Sequence, residues 1–468
     1  MTNGGRRRKL DRVLHTLAPA PTPTPTSECG SIAFRERERV REGERRKKDS
    51  LPIRVVLLTW AVVLPITAPA ADLDLTGRIS PQAAVTTYPS SSVFSDVFGS
   101  SSVNTSFDAR VVFGLDHGGF NLDIDYQLIG VWADRLELSR ELPPELAVLY
   151  PHLPSDRARL FDLTHVFNDA GKTATLQRLD RLVVGITTDR VVVRAGRQAI
   201  TWGNGLVFNA MDIFNPFDPA AVDKEYKTGD DMLYAQVLRS NGDDLQGVMV
   251  VRRNPISRDV EADQCSLAAK YHHTGPSWEV DALAARHYGD TLVGFGANLS
   301  VGGGVVRGDL VVADTDDGVI PSMVASWSQS WTWGGTNVSG LVETFYNGFG
   351  QTGGCDVPAC LADNPELSKR LARGELFNLG RYELALSAVV EVTPLFLLTP
   401  NVFINLQDPS ALLQLVFQND LRENLMLWSA ITVPIGADGT EYGGPATSLP
   451  GRFLSTGPGA SLQLVWYW

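Results

Sequence analysis

The chain has 468 residues, of which 44% are hydrophobic, and its formal net charge of -12 excludes the clustered basic surface that nucleic-acid binding requires. A mean hydropathy of -0.04 indicates no long membrane helix on average, and the composition is not that of a disordered chain. The length suits two or three ordinary domains or one large β-architecture. The acidity is explained equally well by solubility and by attraction of cations.

Residues 1–50 form a low-complexity, net basic extension without apolar periodicity. No structural or functional role follows from this composition. We therefore hypothesise that the reading frame is started too early here, and that a non-Met start such as Val40 begins the natural protein.

Residues 51–70 have the pattern of a secretory signal peptide. Basic residues precede an apolar run over 55–64, and the small residues "APA" follow it. This run is about half as long as the ~20 residues that span a bilayer as a helix. Cleavage after Ala70 is therefore predicted, which makes residues 71–468 the exported domain.

The exported domain alternates apolar and polar residues with period two in one stretch after another. In "FDARVVFGL", Phe107, Val111 and Leu115 share one face, whereas Asp108 and Arg110 lie on the other. "FNLDIDYQLIGVW" repeats the pattern, and the intervening "DHGG" predicts a hairpin turn. Such segments continue to the final "SLQLVWYW", with no helical domain between them.

We count about 16 to 18 segments at the length with which strands cross a bilayer. A soluble barrel buries its apolar faces inward, whereas a membrane barrel turns them outward to lipid and lines its lumen with polar faces. Trp132, Tyr382, Trp466 and Trp468 lie at segment ends, where membrane barrels carry aromatic rims. The sequence therefore predicts an all-β fold, a transmembrane antiparallel β-barrel in the outer membrane.

The terminal "SLQLVWYW" resembles the last strand of Gram-negative outer-membrane β-barrels. In those families the assembly machinery reads the terminal aromatic residue, so the resemblance implies an assembly signal at Trp466 and Trp468. The families most often end in Phe, and Trp468 departs from that pattern. The resemblance also implies outer-membrane lipid, lipopolysaccharide and the barrel-assembly machinery as partners, with a homo-oligomer as one alternative.

A distinctive stretch over 191–236 contains "GRQAITWGNG" and "NAMDIFNPF". It is similar to a strand-plus-loop pattern of porin-like outer-membrane proteins, including barrels related to the alginate-export group. Glycines allow a sharp departure from the wall, and prolines block ladder bonding. The segment either folds inward as a constriction, with Asp212, Asp218 and Lys224, or lies outside as a long loop.

Alternation places Arg190 and Arg194 on the polar side of the strand that begins this stretch. Either the arginines guide an anionic solute by fixed charge, or they pair with carboxylates such as Asp108 across the lumen and only stabilise it. The predicted pore-lining and selectivity residues are Arg110, Asp123, Asp125, Arg190, Arg194, Arg197 and Arg381.

The pair in "CDVPAC", Cys355 and Cys360, is close enough to form a disulfide in an oxidising compartment, with free thiols as the alternative. No further soft ligand lies near it, and the acidic turns lack the full calcium-loop spacing, so no metal and no cofactor is predicted.

Searches for the motifs of serine hydrolases, zinc proteases and phosphate-binding loops find none, so an enzyme is not predicted. The predicted function is a porin-like channel for diffusion or selective transport of small hydrophilic solutes, anionic ones in one version. The alternative is a non-conducting structural or surface-binding barrel that acts through long loops at 133–175 and 347–378. An outer-membrane barrel enzyme is the third hypothesis.

Overall fold

The structure is a computed structural model that describes residues 71–141, 153–357 and 359–468. The predicted N-terminal extension and signal peptide lie outside these residues and stay predictions. Within the described ranges, no helix is long and apolar enough to cross a membrane.

Strands dominate the described chain. They are β1 (Asp72–Thr87), β2 (Ser101–His117), β3 (Phe120–Ala133), β4 (Thr164–Ala170), β5 (Thr173–Thr187), β6 (Val191–Gln198), β7 (Asp230–Leu238), β8 (Asp244–Val250), β9 (Ser266–Thr274), β10 (Trp278–His287), β11 (Asp290–Val301), β12 (Gly304–Thr315), β13 (Gly318–Trp333), β14 (Thr336–Tyr346), β15 (Asp356–Val357), β16 (Tyr382–Thr393), β17 (Phe396–Asn405), β18 (Ser410–Arg422), β19 (Leu425–Ile435), β20 (Ala446–Thr447) and β21 (Gly459–Tyr467). Four short helices lie between them: α1 (Val93–Phe98), α2 (Asp134–Glu141), α3 (Ala359–Ala362) and α4 (Pro365–Arg373).

Eighteen of these strands pair antiparallel in a closed barrel, which confirms the predicted fold class. Closure occurs between β1 and β21, where Gly77 and Trp468 exchange two backbone hydrogen bonds of 3.0 Å. A closed sheet leaves no unpaired edge in the hydrocarbon, where an unsatisfied backbone group costs several kcal/mol. The remaining strands are β4, which pairs with half of β5, and the two-residue β15 and β20.

The last strand shows how the wall is built. Leu462, Leu464 and Trp466 are exposed on the outer face, whereas Gln463 and Val465 are buried on the lumen face. Because successive strand residues point to opposite sides, this alternation turns apolar side chains to lipid. The predicted outward apolar face is confirmed.

The two ends of the barrel differ. At one end of the barrel, β1 begins and β21 finishes. The same end carries the short turns 118–119, 188–190, 239–243, 275–277, 302–303, 334–335, 394–395 and 423–424. The other end carries 88–100, 199–229, 251–265, 288–289, 316–317, 406–409, 436–458 and the described parts of 134–172 and 347–381. Outer-membrane barrels have short periplasmic turns and longer extracellular loops, which orients this barrel. Trp132 and Tyr382 lie toward the loop end and Trp466 and Trp468 toward the turn end, so the predicted aromatic rims are present.

Barrel closure gives a first prediction. A Cβ at Gly77 would lie 2.5 Å from the Trp468 ring and 2.6 Å from the Arg110 carbonyl oxygen, so Gly77→Ala forces backbone apart where the barrel closes. We expect a lower urea midpoint of unfolding and a smaller heat-modifiable fraction, at a cost of about 1–3 kcal/mol. Gly114→Ala on β2 is the matched control, because its Cβ would meet nothing closer than 3.7 Å. Equal unfolding midpoints for the two variants would contradict this account of closure.

Candidate functional site

The candidate site is built on residues 199–229, which connect β6 to β7 and are called the lumen loop here. The loop turns tightly at Gly205, because a Cβ there would lie 1.9 Å from the Phe208 carbonyl oxygen. Pro216 and Pro219 have no N–H to give to a strand ladder, so the loop does not continue the sheet.

One side of the barrel holds the start of the lumen loop through its backbone. The Glu343 carboxylate on β14 accepts hydrogen bonds from the N–H groups of Leu206, Val207 and Phe208 at 2.8, 2.9 and 2.6 Å. Asp309 on β12 accepts the Asn204 N–H at 2.7 Å and its side-chain amide at 2.7 Å. A carboxylate bond to a backbone N–H is charge-assisted and contributes about 1.5–3 kcal/mol. These inward carboxylates therefore anchor the loop.

The opposite side of the barrel holds the end of the lumen loop through side chains. Arg78 on β1 forms ion pairs with Glu225 at 2.7 Å and Asp223 at 3.0 Å. Gln463 on β21 donates to the same Asp223 at 2.9 Å. Because the loop contacts both walls, it crosses the lumen, and of the two predicted placements the inward one is present.

An aromatic ring is clamped between two guanidinium groups at this crossing. Tyr226 lies under Arg78 and Arg110, whose guanidinium carbons are 4.7 and 4.0 Å from the ring centroid. Arg110 in turn pairs with Asp125 at 3.2 Å and with Asp180 at 2.9 Å. Both arginines are almost fully buried, and their charge is compensated by carboxylates on the wall and on the loop.

Apolar packing fills the lumen beside the loop toward β7–β13. Trp202, Met211 and Phe214 of the loop are buried against inward residues of that wall, and the Trp202 and Phe214 rings meet edge-to-face at 5.5 Å. Leu367 and Leu371 of α4 belong to the same core. Two extracellular loops therefore share one hydrophobic core inside the barrel.

A buried ion pair closes the lumen loop on itself. The Lys227 ammonium donates to both carboxylate oxygens of Asp212, at 2.7 and 2.6 Å, and to the Ile200 carbonyl at 2.6 Å. Removing one member of such a pair leaves an uncompensated buried charge, which costs about 3–5 kcal/mol. Of the predicted constriction residues, Asp212 is therefore structural, whereas Lys224 is exposed.

A second ion-pair cluster holds Arg197, which is 0% exposed at its side chain. It pairs with Asp231 at 2.8 Å and with Asp156, from the loop between β3 and β5, at 3.0 Å. Burial acts to raise the pKa of Asp156, but the hydrogen bond from Arg159 and the charge of Arg197 lower that pKa to about 2. Arg197 thus fastens an extracellular loop to the wall.

The other predicted pore residues are distributed along the barrel. Arg194 faces the lumen and stacks on the Tyr234 ring at 4.8 Å, and within the described chain no carboxylate lies within 4.0 Å of it. Asp123 is exposed, and Arg190 is exposed in the turn before β6. Arg381 ends the loop before β16 and donates to the Gly350 carbonyl at 3.0 Å. Their roles in selectivity stay predictions.

The cysteine pair lies in the long loop over 347–381. Cys355 and Cys360 form a disulfide with a Cα–Cα distance of 5.4 Å, and Cys360 lies in α3. The free Cys265 is partly buried just before β9. In the part of the chain that the structure describes, no group of three or more His, Cys, Asp or Glu side chains could hold a metal ion.

The acidic side chains of Glu383 and Glu441 lie next to each other near the extracellular end of β16, and among the described residues neither forms an ion pair with a basic side chain. Glu383 is 1% exposed, and among the described residues neither of its carboxyl oxygens has a hydrogen-bond partner. It lies against Glu441, which accepts from the Leu379 and Gly380 N–H groups at 2.7 and 2.9 Å. Burial raises the pKa of Glu441. Because two adjacent buried carboxyl groups disfavour simultaneous ionisation, we predict that they share one proton.

The residues that anchor the lumen loop were not singled out from the sequence. Glu343, Asp309 and Tyr226 carry no motif, and their partners are distant in the chain. The available signal was weak: Asp309 and Glu343 are acidic residues at inward positions of their strands. An inward carboxylate between bulky neighbours is a reason to look for a donor that folds into the lumen.

No protein-family model and no curated protein matches the chain. Similar solved structures include Wzi of Escherichia coli, described as an outer-membrane protein involved in group 1 capsule assembly and a carbohydrate-binding β-barrel. Wzi is 8% identical over 83% of each chain, with a TM-score of 0.47. OccAB2 of Acinetobacter baumannii is 10% identical over 85% of this chain and 98% of its own, with a TM-score of 0.47. A BenF-like porin from Pseudomonas fluorescens Pf-5 is 10% identical over 86% and 99%, with a TM-score of 0.45.

These similarities are weak, so the class of the protein rests on its own geometry. A closed antiparallel barrel with an apolar outer face and aromatic rims is a transmembrane β-barrel of the outer-membrane kind. The protein is located in the Gram-negative outer membrane. The likeness to alginate-export barrels stays a prediction.

Loss of one loop anchor gives a second prediction. In Glu343→Gln an amide NH₂ replaces one of the oxygens that face the three backbone donors. We expect the free energy of unfolding to fall by about 2 kcal/mol or more, measured by urea titration of the refolded barrel. Glu391→Gln is the matched control, since that inward carboxylate on β16 accepts only from the Asn337 side chain. If both variants unfold like the wild type, Glu343 is not an anchor.

The carboxyl pair gives a prediction on pH. A raised pKa in the folded state means that the contribution of Glu441 to stability is complete below pH 4.5, the usual value, and is lost as pH rises through the folded value. We expect wild-type stability to decline as pH rises above 4.5, through the range in which Glu441 ionises in the folded protein. Glu383→Gln supplies a permanent N–H donor to Glu441 and should flatten this decline, measured as unfolding midpoint against pH. Glu423→Gln in an exposed turn should leave the wild-type slope, and a slope unchanged by Glu383→Gln would rule out the shared proton.

Proposed function

We propose that the protein is an outer-membrane channel through which small hydrophilic solutes diffuse, with the lumen loop as its constriction. The observation that carries the proposal is the crossing of the lumen by a loop that is anchored to both walls, at Glu343 on one side and Arg78 on the other. Such a crossing narrows a water-filled barrel and places polar groups of the loop on the solute pathway.

Fixed charge at the crossing is largely balanced. Arg78 and Arg110 each face carboxylates within 4 Å, so they supply little field for anions. Arg194 supports an anionic solute better, because its inward guanidinium stacks on an aromatic ring and has no carboxylate within ion-pair distance among the described residues. We propose that the size of the constriction determines which solutes can pass, and that the charge of Arg194 makes the channel prefer anions.

Single-channel recording in a planar bilayer tests the proposal directly. Folded barrels, identified by heat-dependent gel mobility, should give discrete conductance steps. Absence of conductance from folded protein would overturn the channel and leave the surface-binding barrel, which the shared apolar core of two extracellular loops favours. No enzymatic activity is proposed.

Arg194 gives a prediction on selectivity. Arg194→Glu reverses an inward charge, whereas Arg190→Glu makes the same change in an exposed turn at the periplasmic end. In a salt gradient we expect Arg194→Glu to move the reversal potential toward cation preference, with a clearly smaller shift for Arg190→Glu. Equal shifts of the reversal potential in the two variants would show that the position of the charge along the barrel does not matter. An unchanged reversal potential in Arg194→Glu would show that Arg194 does not contribute to selectivity.

A further inference from the structure

One tryptophan of the barrel wall faces inward. Trp428 on β19 is paired in register with Gln463 on β21, and Gln463 contacts Ser80 and Asp223 in the lumen. Residues directly opposite each other on neighbouring strands share a face, so Trp428 lies on the lumen face as well. The other tryptophans of the described strands lie on the lipid face: Trp132, Trp278, Trp327, Trp331, Trp333 and Trp466.

The register places Trp428 in a row of uncharged hydrogen-bonding side chains across neighbouring strands. Its partner on β18 is Gln418, and on the other side Gln463 is followed by Gln82 on β1 and Ser106 on β2. We call this set, Gln418, Trp428, Gln463, Gln82 and Ser106, the amide row. No charged residue interrupts it, in contrast to the arginine and carboxylate pairs of the wall nearby.

Much of the hydrogen-bonding capacity of the amide row is unused within the described chain. The Trp428 indole N–H and the Gln418 amide make no hydrogen bond there, and Gln82 uses only its oxygen, toward Ser106 at 3.3 Å. All three side chains are only partly buried, so they remain open to the lumen. Gln463, by contrast, is buried and committed to Ser80 and to the lumen loop.

An indole face flanked by free amides matches one class of hydrophilic solute. A pyranose sugar has an apolar C–H face that packs on an aromatic ring, and equatorial hydroxyl groups that both donate to and accept from amides. A charged solute would gain more from an ionic partner than from this row.

We propose that the amide row is a binding subsite for neutral sugars, with Trp428 as the stacking platform and Gln418 and Gln82 as its hydrogen-bonding partners. The subsite lies beside the constriction, because Gln463 of the same row donates to Asp223 of the lumen loop at 2.9 Å. The inference rests on the proposed channel and names the class of solute that the channel takes.

Isothermal titration calorimetry on the folded barrel in detergent tests the subsite without requiring conductance. The probes are maltose, its size-matched poly(ethylene glycol) and glucuronate. We expect saturable maltose binding that weakens about tenfold in Trp428→Ala, the loss of one well-placed contact, and less in Trp428→Phe. Trp327→Ala, which removes an indole from the lipid face, is the matched control and should bind maltose like the wild type.

Block of the single-channel current by the same probes separates the two proposals. Conductance with maltose block that Trp428→Ala relieves supports both, and maltose binding without conductance supports the subsite but overturns the channel. Conductance in which maltose acts no more strongly than the polymer overturns the subsite and leaves the channel. Binding of equal strength in Trp428→Ala and wild type also overturns the subsite, as does a preference for glucuronate.

Discussion

Backbone hydrogen bonding in hydrocarbon is the constraint on which the rest of this molecule depends. Water is absent from the bilayer core, so every N–H and C=O of the wall must find a partner in the sheet. The exchange between Gly77 and Trp468 completes that ladder by joining the last strand to the first. Gly77 has no side chain because the Trp468 ring occupies the space a Cβ would need. Closure then creates an interior whose polar groups must be satisfied separately.

The interior satisfies those groups with a segment of the same chain. The lumen loop offers unpaired backbone N–H groups, and the wall offers buried carboxylates, so Glu343 and Asp309 meet donors that strand pairing cannot supply. Toward the opposite wall the arrangement is reversed, because there the loop supplies carboxylates and the wall supplies Arg78. The buried polar groups of the wall therefore explain the position of the lumen loop, and those of the loop explain why the wall carries its buried charges. The same contacts fix where the lumen loop crosses the barrel.

Charge inside the barrel is mostly compensated, so most of the arginines predicted to line the pore have a structural role. Arg110 and Arg197 form ion pairs with carboxylates that stabilise the fold, whereas the charge of Arg194 faces the lumen without such a partner among the described residues. A row of uncharged wall side chains, the amide row, lies alongside and includes Trp428. In the proposed channel, shape and hydrogen bonding therefore contribute to selectivity as well as net charge.

The sequence by itself determined the all-β fold, the outward apolar face and the aromatic rims, since a period of two and the residues at segment ends are local properties. It left the placement of residues 199–229 open, and it did not identify Glu343 or Trp428. Glu343 meets its donors across a sequence separation of 137, and the amide row depends on the register of β18, β19, β21, β1 and β2. Only the tertiary structure decided these points, because closing the barrel is what brings distant strands and the loop into contact.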